Sequence, residues 1–206
     1  MEHPAASLTG VRKAHPDDYA AVARLLHHSA ADMYDRFAAG RERALRVLER
    51  SLAEPGTASS AEVVWIVELD GQVAGAMAAF PVDEAAARAR AFVRLALRES
   101  PPWRWPVALY LYWAGGRAAP SPPASALYID ALATDPSFRR RGAARALLAE
   151  AEREARRRGL PRVALDTTIA NRPARALYAR EGFDEVAYRP PGRGLPGFVA
   201  LVKPLD

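Results

Sequence analysis

At positions 134–148 the chain reads TDPSFRRRGAARALL, and this stretch decides how the rest of the sequence is interpreted. The apolar run that ends at Thr134 predicts a strand, Pro136 predicts a turn, and Gly142 begins an amphipathic helix that is expected to reach Arg158. The first N–H groups of a helix have no partner inside it, and the helix dipole is positive there. A strand, a turn and a glycine-led helix in this order therefore predict an anion-binding site.

Side chains in the same stretch favour an anion as well. Small residues at 142–144 would let a pyrophosphate approach the backbone, and four arginines add positive charge: Arg139, Arg140, Arg141 and Arg145. The loop taken alone has a second interpretation, in which Gly142 only starts a helix and the arginines are only solvated. Neither a P-loop nor a dinucleotide-binding fingerprint fits, because the Gly-Lys-Ser/Thr ending and the further glycines are missing.

Composition limits the class of protein. The 206 residues are enough for one α/β domain, and 50% hydrophobic with 26% charged residues is ordinary globular usage. Cysteine is absent, which excludes disulfides, thiolate metal sites and a cysteine nucleophile. The N-terminus lacks the pattern of a secretory signal, and no apolar run is long enough for a membrane span. We therefore expect a cytoplasmic protein without a membrane partner.

The net charge of +5 comes from arginine, since only Lys13 and Lys203 are lysines. Nucleic acid, an acidic surface and a phosphorylated cofactor are all compatible with this charge. Several arginines between 139 and 158 alternate with glutamates, which favours a solvated helix face over a nucleic-acid-binding surface. The four histidines have no metal-ligand spacing, so we expect no metal.

The first part of the chain is predicted to hold helices and a hairpin. Residues 1–10 are expected to be a flexible tail, followed by a short strand from Val11. Helical spacing after Asp17 and across residues 31–52 predicts two helices there. Residues 63–80 are predicted to form a hairpin whose turn is Asp70-Gly71.

The segment 81–125 is predicted to be an insert. Its first part, 81–100, has the composition of a helix. Residues 101–123 carry three of the four tryptophans and several prolines, which predicts an apolar helix that ends in a loop. Two interpretations stay open for this helix: it packs on the sheet, or it forms an acceptor-pocket wall or a dimer face.

The last part of the chain has a strand–helix–strand pattern. Strands are predicted at 126–134 and 162–167, joined through the helix that starts at Gly142. A further helix is predicted at 173–181, and two final strands at 184–188 and 198–202.

Two motifs in this part resemble a known family. The pattern Arg139-x-x-Gly142-x-Ala144 is similar to the Gln/Arg-x-x-Gly-x-Gly/Ala signature of the GNAT superfamily of acetyl-CoA-dependent N-acetyltransferases, which binds the coenzyme A pyrophosphate. Residues 171–183, NRPARALYAREGF, resemble the downstream Asn-x-x-Ala-x-x-Leu-Tyr-x-x-x-Gly-Phe block of many GNAT enzymes. The resemblance covers residues 11–202, but its sharp motifs occupy only 128–183. The chain departs from the family pattern at Ala144, where glycine is usual, and in its long insert.

The resemblance implies an α/β (α+β) GNAT fold. It implies a mixed, mostly antiparallel central sheet of six to seven strands, flanked by helices and splayed between the fourth and fifth strands. It also implies a single N-acetyltransferase domain over residues 11–206, with the insert at about 81–125.

The resemblance further implies that acetyl-CoA lies in the splay. The Leu132 N–H is the expected donor to the thioester carbonyl, and Asn171 is expected to bond the pantetheine arm, cap a helix, or do both. The implied cofactor-binding residues are Leu132, Ala133, Thr134, Arg139, Arg140, Arg141, Gly142, Ala143, Ala144, Arg145, Asn171 and Tyr178.

Two side chains are expected to be catalytic. By resemblance Tyr178 is the general acid that protonates the leaving thiolate, against the alternative that it is simply packed. Asp130 lies where many family members carry an acidic residue, so it is a candidate general base acting through a water. The alternative for Asp130 is a charge on the solvent side of a strand.

We therefore predict an acetyl-CoA-dependent N-acetyltransferase that acts by direct attack of a primary amine, on a small molecule in particular, because residues 189–197 resemble the substrate-side loop of small-molecule acetyltransferases. Alternatives are a protein N-terminus or lysine as acceptor, a non-catalytic acyl-CoA-binding protein and a nucleic-acid-binding protein. A monomer and a homodimer both stay open.

An acceptor lid is expected in the early helices, because in this family these helices border the amine site. The expected lid residues are Asp32, Met33, Tyr34 and Phe37. For Met33 and Phe37, packing in the core is the alternative.

Overall fold

The computed structural model describes residues 8–192 and 194–206. The strands are β1 (Leu8–Lys13), β2 (Val64–Leu69), β3 (Gln72–Pro81), β4 (Ala126–Thr134), β5 (Arg162–Thr168), β6 (Asp184–Arg189) and β7 (Phe198–Pro204). The α-helices are α1 (Tyr19–Ser29), α2 (Ala31–Ala38), α3 (Arg41–Ala53), α4 (Val82–Arg98), α5 (Trp105–Gly115), α6 (Ala143–Arg157) and α7 (Arg172–Arg180). These elements confirm the predicted order of helices and strands.

The N-terminal prediction needs one correction. The strand expected from Val11 begins at Leu8, so residues 8–10 of the predicted tail belong to the sheet. Residues 1–7 of that tail lie outside the described part of the chain. Between residues 31 and 52, the left-handed backbone of Ala39 (φ 61°), followed by Gly40 (φ 123°), separates α2 from α3.

Within the described residues, seven strands form one sheet in the order β1-β2-β3-β4-β5-β7-β6. All neighbours are antiparallel except β4 and β5, which are parallel because α6 crosses between them. The β4–β5 pairing runs from Ala126 and Arg162 to Ile129 and Leu165, and beyond that point the strands separate. The predicted GNAT fold, with its splay between the fourth and fifth strands, is confirmed.

A β-bulge lies where β4 leaves β5. Ile129 pairs with Ala79 and Ala131 pairs with Ala78, so Asp130 is an extra residue without a partner in β3. The bulge reverses the alternation of side chains along β4. Ile129 therefore faces the core under α6, whereas Ala131 faces the core under α1.

Two hydrophobic cores cover the two faces of the sheet. On one face α6 and α7 bury side chains that include Leu147, Leu148 and Tyr178. On the other face α1 and α3 bury side chains that include Leu26 and Leu48. Each fully buried aliphatic side chain contributes roughly 1.5–3 kcal/mol relative to an exposed one, so these two layers hold β4 and β5 in place on both sides of the splay.

The helix α5 differs from the other helices. It buries only Ala108, Leu111 and Ala114, and its main neighbours are α4 and α2, so the expectation that it packs on the sheet is wrong. Large apolar side chains on the rest of its surface are exposed, among them Leu109 and Tyr110. None of the described helices has both the length and the apolar character needed to cross a membrane.

Candidate active site

The backbone of β4 beyond the bulge faces the gap that β5 leaves open. The Asp135 N–H donates to the Ala74 carbonyl over 2.9 Å, which fixes the alternation of bonded and non-bonded pairs along the β3–β4 ladder. By this alternation, Leu132 and Thr134 belong to non-bonded pairs. Their N–H and C=O groups point away from β3 and into the gap, where the sequence predicted them to act.

Ala133 is placed differently from its two neighbours. It pairs with Ala76 in the bonded register, so its N–H and C=O groups point toward β3. Its side chain is buried in the core under α1. The structure therefore does not bring Ala133 into the gap with Leu132 and Thr134.

The loop between β4 and α6 presents a row of free amide groups. Arg140 (φ 60°) and Gly142 (φ 87°) have left-handed backbone, which turns successive N–H groups outward. The N–H groups of residues 140–145 donate no hydrogen bond to any described residue. Gly142 has no side chain to cap α6, and Ala143 and Ala144 add only methyl groups. This loop is a suitable site for an anion such as a pyrophosphate.

The four predicted arginines do not contribute equally to this charge. Three have partners: Arg139 with His28 (3.1 Å), Arg141 with Asp70 (2.7 Å) and Arg145 with Glu181 (3.6 Å). The exposed guanidinium of Arg140 forms no ion pair or hydrogen bond to a described residue. Arg140 therefore has the positive charge that is most available to an anion.

Tyr178 of α7 lies on the α6 side of the sheet. Its ring is buried against Phe183, with 5.9 Å between the ring centroids. Burial raises the pKa of Tyr178 to about 12, and the negative charge of Asp166 adds to the rise. The hydroxyl therefore stays protonated at neutral pH, and it makes no hydrogen bond within 8–192 or 194–206. Both properties suit a proton donor.

Asn171 has two bonds within the chain. Its side-chain oxygen accepts from the Ala174 N–H (3.4 Å) and its Nδ2 donates to the Thr167 hydroxyl (3.1 Å). The capping function predicted for Asn171 is therefore present, and its role in holding a ligand stays a prediction.

A family model decides the relationship that the motifs suggested. The chain matches the acetyltransferase (GNAT) family over residues 22–183. The chain belongs to the GNAT family. It is therefore an acyltransferase, and the gap and the amide-rich loop lie where the motifs of this family placed them in the sequence.

Solved structures with the GNAT fold align along nearly the whole chain. An N-acetyltransferase from Staphylococcus aureus Mu50 is 20% identical with a TM-score of 0.72, and 93% of this chain and 98% of that chain are covered. The structure named SsHAT is 24% identical with a TM-score of 0.64, with 98% of each chain covered. The ribosomal-protein-S18-alanine N-acetyltransferase from Escherichia coli is 16% identical with a TM-score of 0.54, covering 95% of this chain and 93% of that one. No curated protein sequence matches the chain.

The GNAT gap also contains a pair of carboxylates, of which the motifs predicted one. Asp130 and Asp166 are the first residues beyond the last β4–β5 pair, Ile129 and Leu165. The hydroxyl of Tyr128 donates to the Asp166 carboxylate. The only signal for Asp166 in the sequence is an acidic residue after the apolar run Val163 to Leu165, and this was too weak to single it out.

The surroundings of Asp130 change its proton affinity. Its side chain reaches solvent, but it is also surrounded by many protein atoms. This enclosure raises the pKa of Asp130 to about 7, and the negative charge of Asp166 raises it further. The same causes that raise a carboxyl pKa toward neutrality make it a competent base at neutral pH.

The helix α2 contacts the loop between β6 and β7. The Arg36 guanidinium of α2 donates to the Gly194 carbonyl over 2.9 Å. Of the predicted lid residues, Tyr34 lies near Asp130, and burial followed by the charge of Asp130 raises the pKa of this tyrosine. Phe37 packs on Phe92 of α4. Met33 is 42% exposed, which argues against core packing for that residue.

A cavity of about 270 Å³ lies between the end of α5 and the loop 190–197. It is lined by residues of both segments, including Ala114, Arg117, Pro191 and Leu195. The helix α5 therefore forms one wall of this cavity, and whether an acceptor enters it stays a prediction.

Proposed function

We propose that this GNAT chain transfers the acetyl group of acetyl-CoA to the primary amine of a small molecule, by direct attack of the amine on the thioester. The observation that carries the proposal is that two sets of backbone groups without partners in the described residues lie on either side of the turn at 135–139: those of Leu132 and Thr134 in the gap, and the amides of residues 140–145. Few other ligands need both an anion site and a ladder of amide partners, as a pyrophosphate with a pantetheine arm does.

The donor would be held chiefly by the backbone. The amides of 140–145 and the Arg140 guanidinium would bind the pyrophosphate, and Leu132, Thr134 and Asn171 would bind the pantetheine arm. The bound donor supplies an acetyl thioester, which is the electrophile of the reaction. The unpaired Leu132 N–H is the group that would donate to the thioester oxygen as negative charge develops there.

Two side chains would move protons. Asp130 has a pKa of about 7, so about half of it is ionised at neutral pH and able to accept a proton from an acceptor ammonium. The Tyr178 hydroxyl, which is protonated at that pH, would donate to the leaving sulfur. The two groups lie on opposite faces of the sheet, so the gap between β4 and β5 separates proton removal from proton donation.

A small-molecule acceptor is supported by the restricted acceptor side. The bond from Arg36 to Gly194 ties the loop 190–197 to α2, and α5 lies beside the same loop. The solved relatives include an enzyme named for a ribosomal-protein substrate, so the fold alone leaves the acceptor open.

A cytoplasmic location is part of the proposal, because a chain without cysteine or a membrane-spanning helix in its described residues suits that compartment.

Calorimetry and a free-thiol assay test the proposal in two steps. Isothermal titration with acetyl-CoA should give a saturable heat, and release of coenzyme A thiol should follow when small amines are added. Peptides with a free N-terminus or a lysine serve as the comparison acceptors. Absence of heat would exclude the donor site, binding without thiol release would favour a non-catalytic acyl-CoA-binding protein, and thiol release with peptides alone would replace the small molecule by a protein acceptor.

A further inference from the structure

The pairing of β4 with β5 brings two carboxylates to one point. The last parallel pair is Ile129 with Leu165, and the next residue on each strand is an aspartate, Asp130 and Asp166. Asp130 is the bulge residue of β4 and lies close enough to Asp166 for the two charges to interact, and Asp166 is held in place by the hydroxyl of Tyr128. Because the bond to Tyr128 restricts the Asp166 side chain, the second carboxylate has a fixed position relative to the first.

No cation neutralises this pair within the described part of the chain. Neither Asp130 nor Asp166 forms an ion pair with Arg, Lys or His there, although most acidic side chains on the helices do. Two carboxylates that lie close together without a cation cannot both ionise freely, so a proton is retained on one of them as pH rises.

Groups from several elements face the pair. Tyr34 of α2 lies near Asp130, Tyr128 of β4 bonds Asp166, and Tyr178 of α7 lies within the electrostatic influence of Asp166. Behind Tyr34, the His27 ring on α1 bonds the Asp35 carboxylate over 2.7 Å. On α4, the Arg88 guanidinium lies over Phe80, whose other neighbour is Tyr128. The groups in direct reach of the carboxylates are therefore phenols, which do not cancel their charge.

We propose that Asp166, held by Tyr128 beside the end of the β4–β5 pairing, is a positioning residue whose carboxylate acts on the proton-accepting Asp130. The inference rests on the proposed function, in which Asp130 is the base. Asp166 touches no reacting atom in this scheme and acts through Asp130.

The protons balance as follows. The acceptor enters as an ammonium and loses two protons in becoming an amide. One passes to the Asp130 carboxylate and from there to water in the cleft, to which Asp130 is open. The other leaves the nitrogen of the tetrahedral intermediate and reprotonates Tyr178 after its hydroxyl has given a proton to the leaving sulfur, so the products are the amide, the thiol and one proton in water. Burial raises the pKa of Asp166, and the hydrogen bond from Tyr128 opposes this rise. While Asp166 is ionised, its negative charge favours the protonated form of Asp130.

The pH dependence of the Asp166→Asn variant tests the inference. Asparagine keeps the shape and accepts from Tyr128, but it removes the negative charge. The Asp130 carboxyl should then ionise at lower pH, so the acid limb of kcat/KM should move toward lower pH by about 1 pH unit. The matched control is Asp184→Asn on β6, the edge strand separated from β5 by β7, which removes an exposed charge outside the gap and should leave the limb unchanged.

A second measurement separates this inference from the proposed function. Carbon-13 NMR of aspartate carboxyls, with Asp130 identified by the signal lost in Asp130→Asn, needs neither donor nor acceptor. The titration of Asp130 should move to lower pH in Asp166→Asn. It should move by a smaller amount in Tyr128→Phe, and this second variant still tests the inference if Asp166→Asn does not fold. Unchanged titration in both variants would overturn the inference. A shifted titration with an unchanged rate profile would overturn the catalytic part and remove Asp130 as the base.

Discussion

The half of the molecule that we propose to bind the donor, called the donor half, comprises β4, β5, α6 and α7. It differs in construction from the half that we propose to bind the acceptor, called the acceptor half, which comprises α2, α5 and the loop 190–197. The donor half offers backbone groups: the amides of 140–145 and the unpaired edge at Leu132. The acceptor half offers side chains from three distant segments, such as Arg36 of α2 and Arg117 after α5. Backbone sites depend on local conformation, whereas side-chain sites depend on which segments the fold brings together.

The difference extends to burial. In the donor half α6 buries one complete face, with Leu147 and Leu148 in the core and paired charges on the outside. In the acceptor half α5 exposes large side chains, with Trp105 43% and Leu109 47% exposed. A well-packed donor half can hold a cofactor in one geometry, while the acceptor half can change its side chains at little cost to folding. The predictions below test this division.

The largest effect is expected from Tyr178→Phe. Loss of the hydroxyl should lower kcat by roughly 100-fold, because a general acid contributes at least that much, while the affinity for acetyl-CoA stays unchanged. Steady-state kinetics and calorimetry measure the two quantities. The control is Tyr110→Phe on exposed α5, which should keep wild-type kcat. Equal rates for Tyr178→Phe and wild type would place the acid outside the donor half.

Charge reversal in the loop should weaken donor binding alone. Arg140→Glu replaces the arginine that has no partner in the described residues, and we expect about tenfold weaker binding of acetyl-CoA, or about 1.4 kcal/mol. Arg141→Glu would also break the ion pair with Asp70 and is the less clean variant. Calorimetry at low ionic strength makes the measurement. The control is Arg94→Glu on α4, an exposed arginine that likewise has no partner in the described residues. Equal losses in both variants would mean that only the total charge of the protein matters.

Strain at the first residue of α6 should have a several-fold effect. Gly142 has φ 87°, and a Cβ in left-handed backbone costs about 1 kcal/mol, so Gly142→Ala should lower both the free energy of unfolding and the donor affinity. Gly159 lies just past the other end of the same helix with φ 66°. Gly159→Ala should therefore lower stability similarly while donor affinity stays unchanged. Thermal unfolding and calorimetry on both variants provide the comparison, and a loss of affinity in both would refute the local role of Gly142.

The smallest effect is expected in the acceptor half. Arg36→Ala removes the exposed bond to Gly194, which contributes about 0.5–1.5 kcal/mol. We expect KM for the acceptor to rise a few-fold with kcat and acetyl-CoA affinity unchanged. Arg46→Ala on α3 is the control, since its contact with Glu42 is a loose surface pair at 3.9 Å. A change in donor affinity for Arg36→Ala would contradict the division into two halves.

Much of the donor half was predictable from the sequence, because its signals are local. The strand that ends at Thr134, the helix that follows Gly142 and the cap at Asn171 each depend on residues within a few positions. Ala133 shows where this reasoning fails. Its place in the motif suggested a ligand contact, but the register with β3 turns its backbone groups away from the gap.

Taken alone, the sequence determined the family, the order of the elements and the position of the amide-rich loop, since spacing along the chain fixes all three. Only the tertiary structure decided which arginine stays without a partner in the described part of the chain, that α5 packs on helices instead of the sheet, and that Asp166 lies across from Asp130. The first and the last of these depend on contacts between residues 30 or more positions apart, such as Asp70 with Arg141. Such contacts leave no periodic trace in the sequence, because the packing of the whole chain selects them.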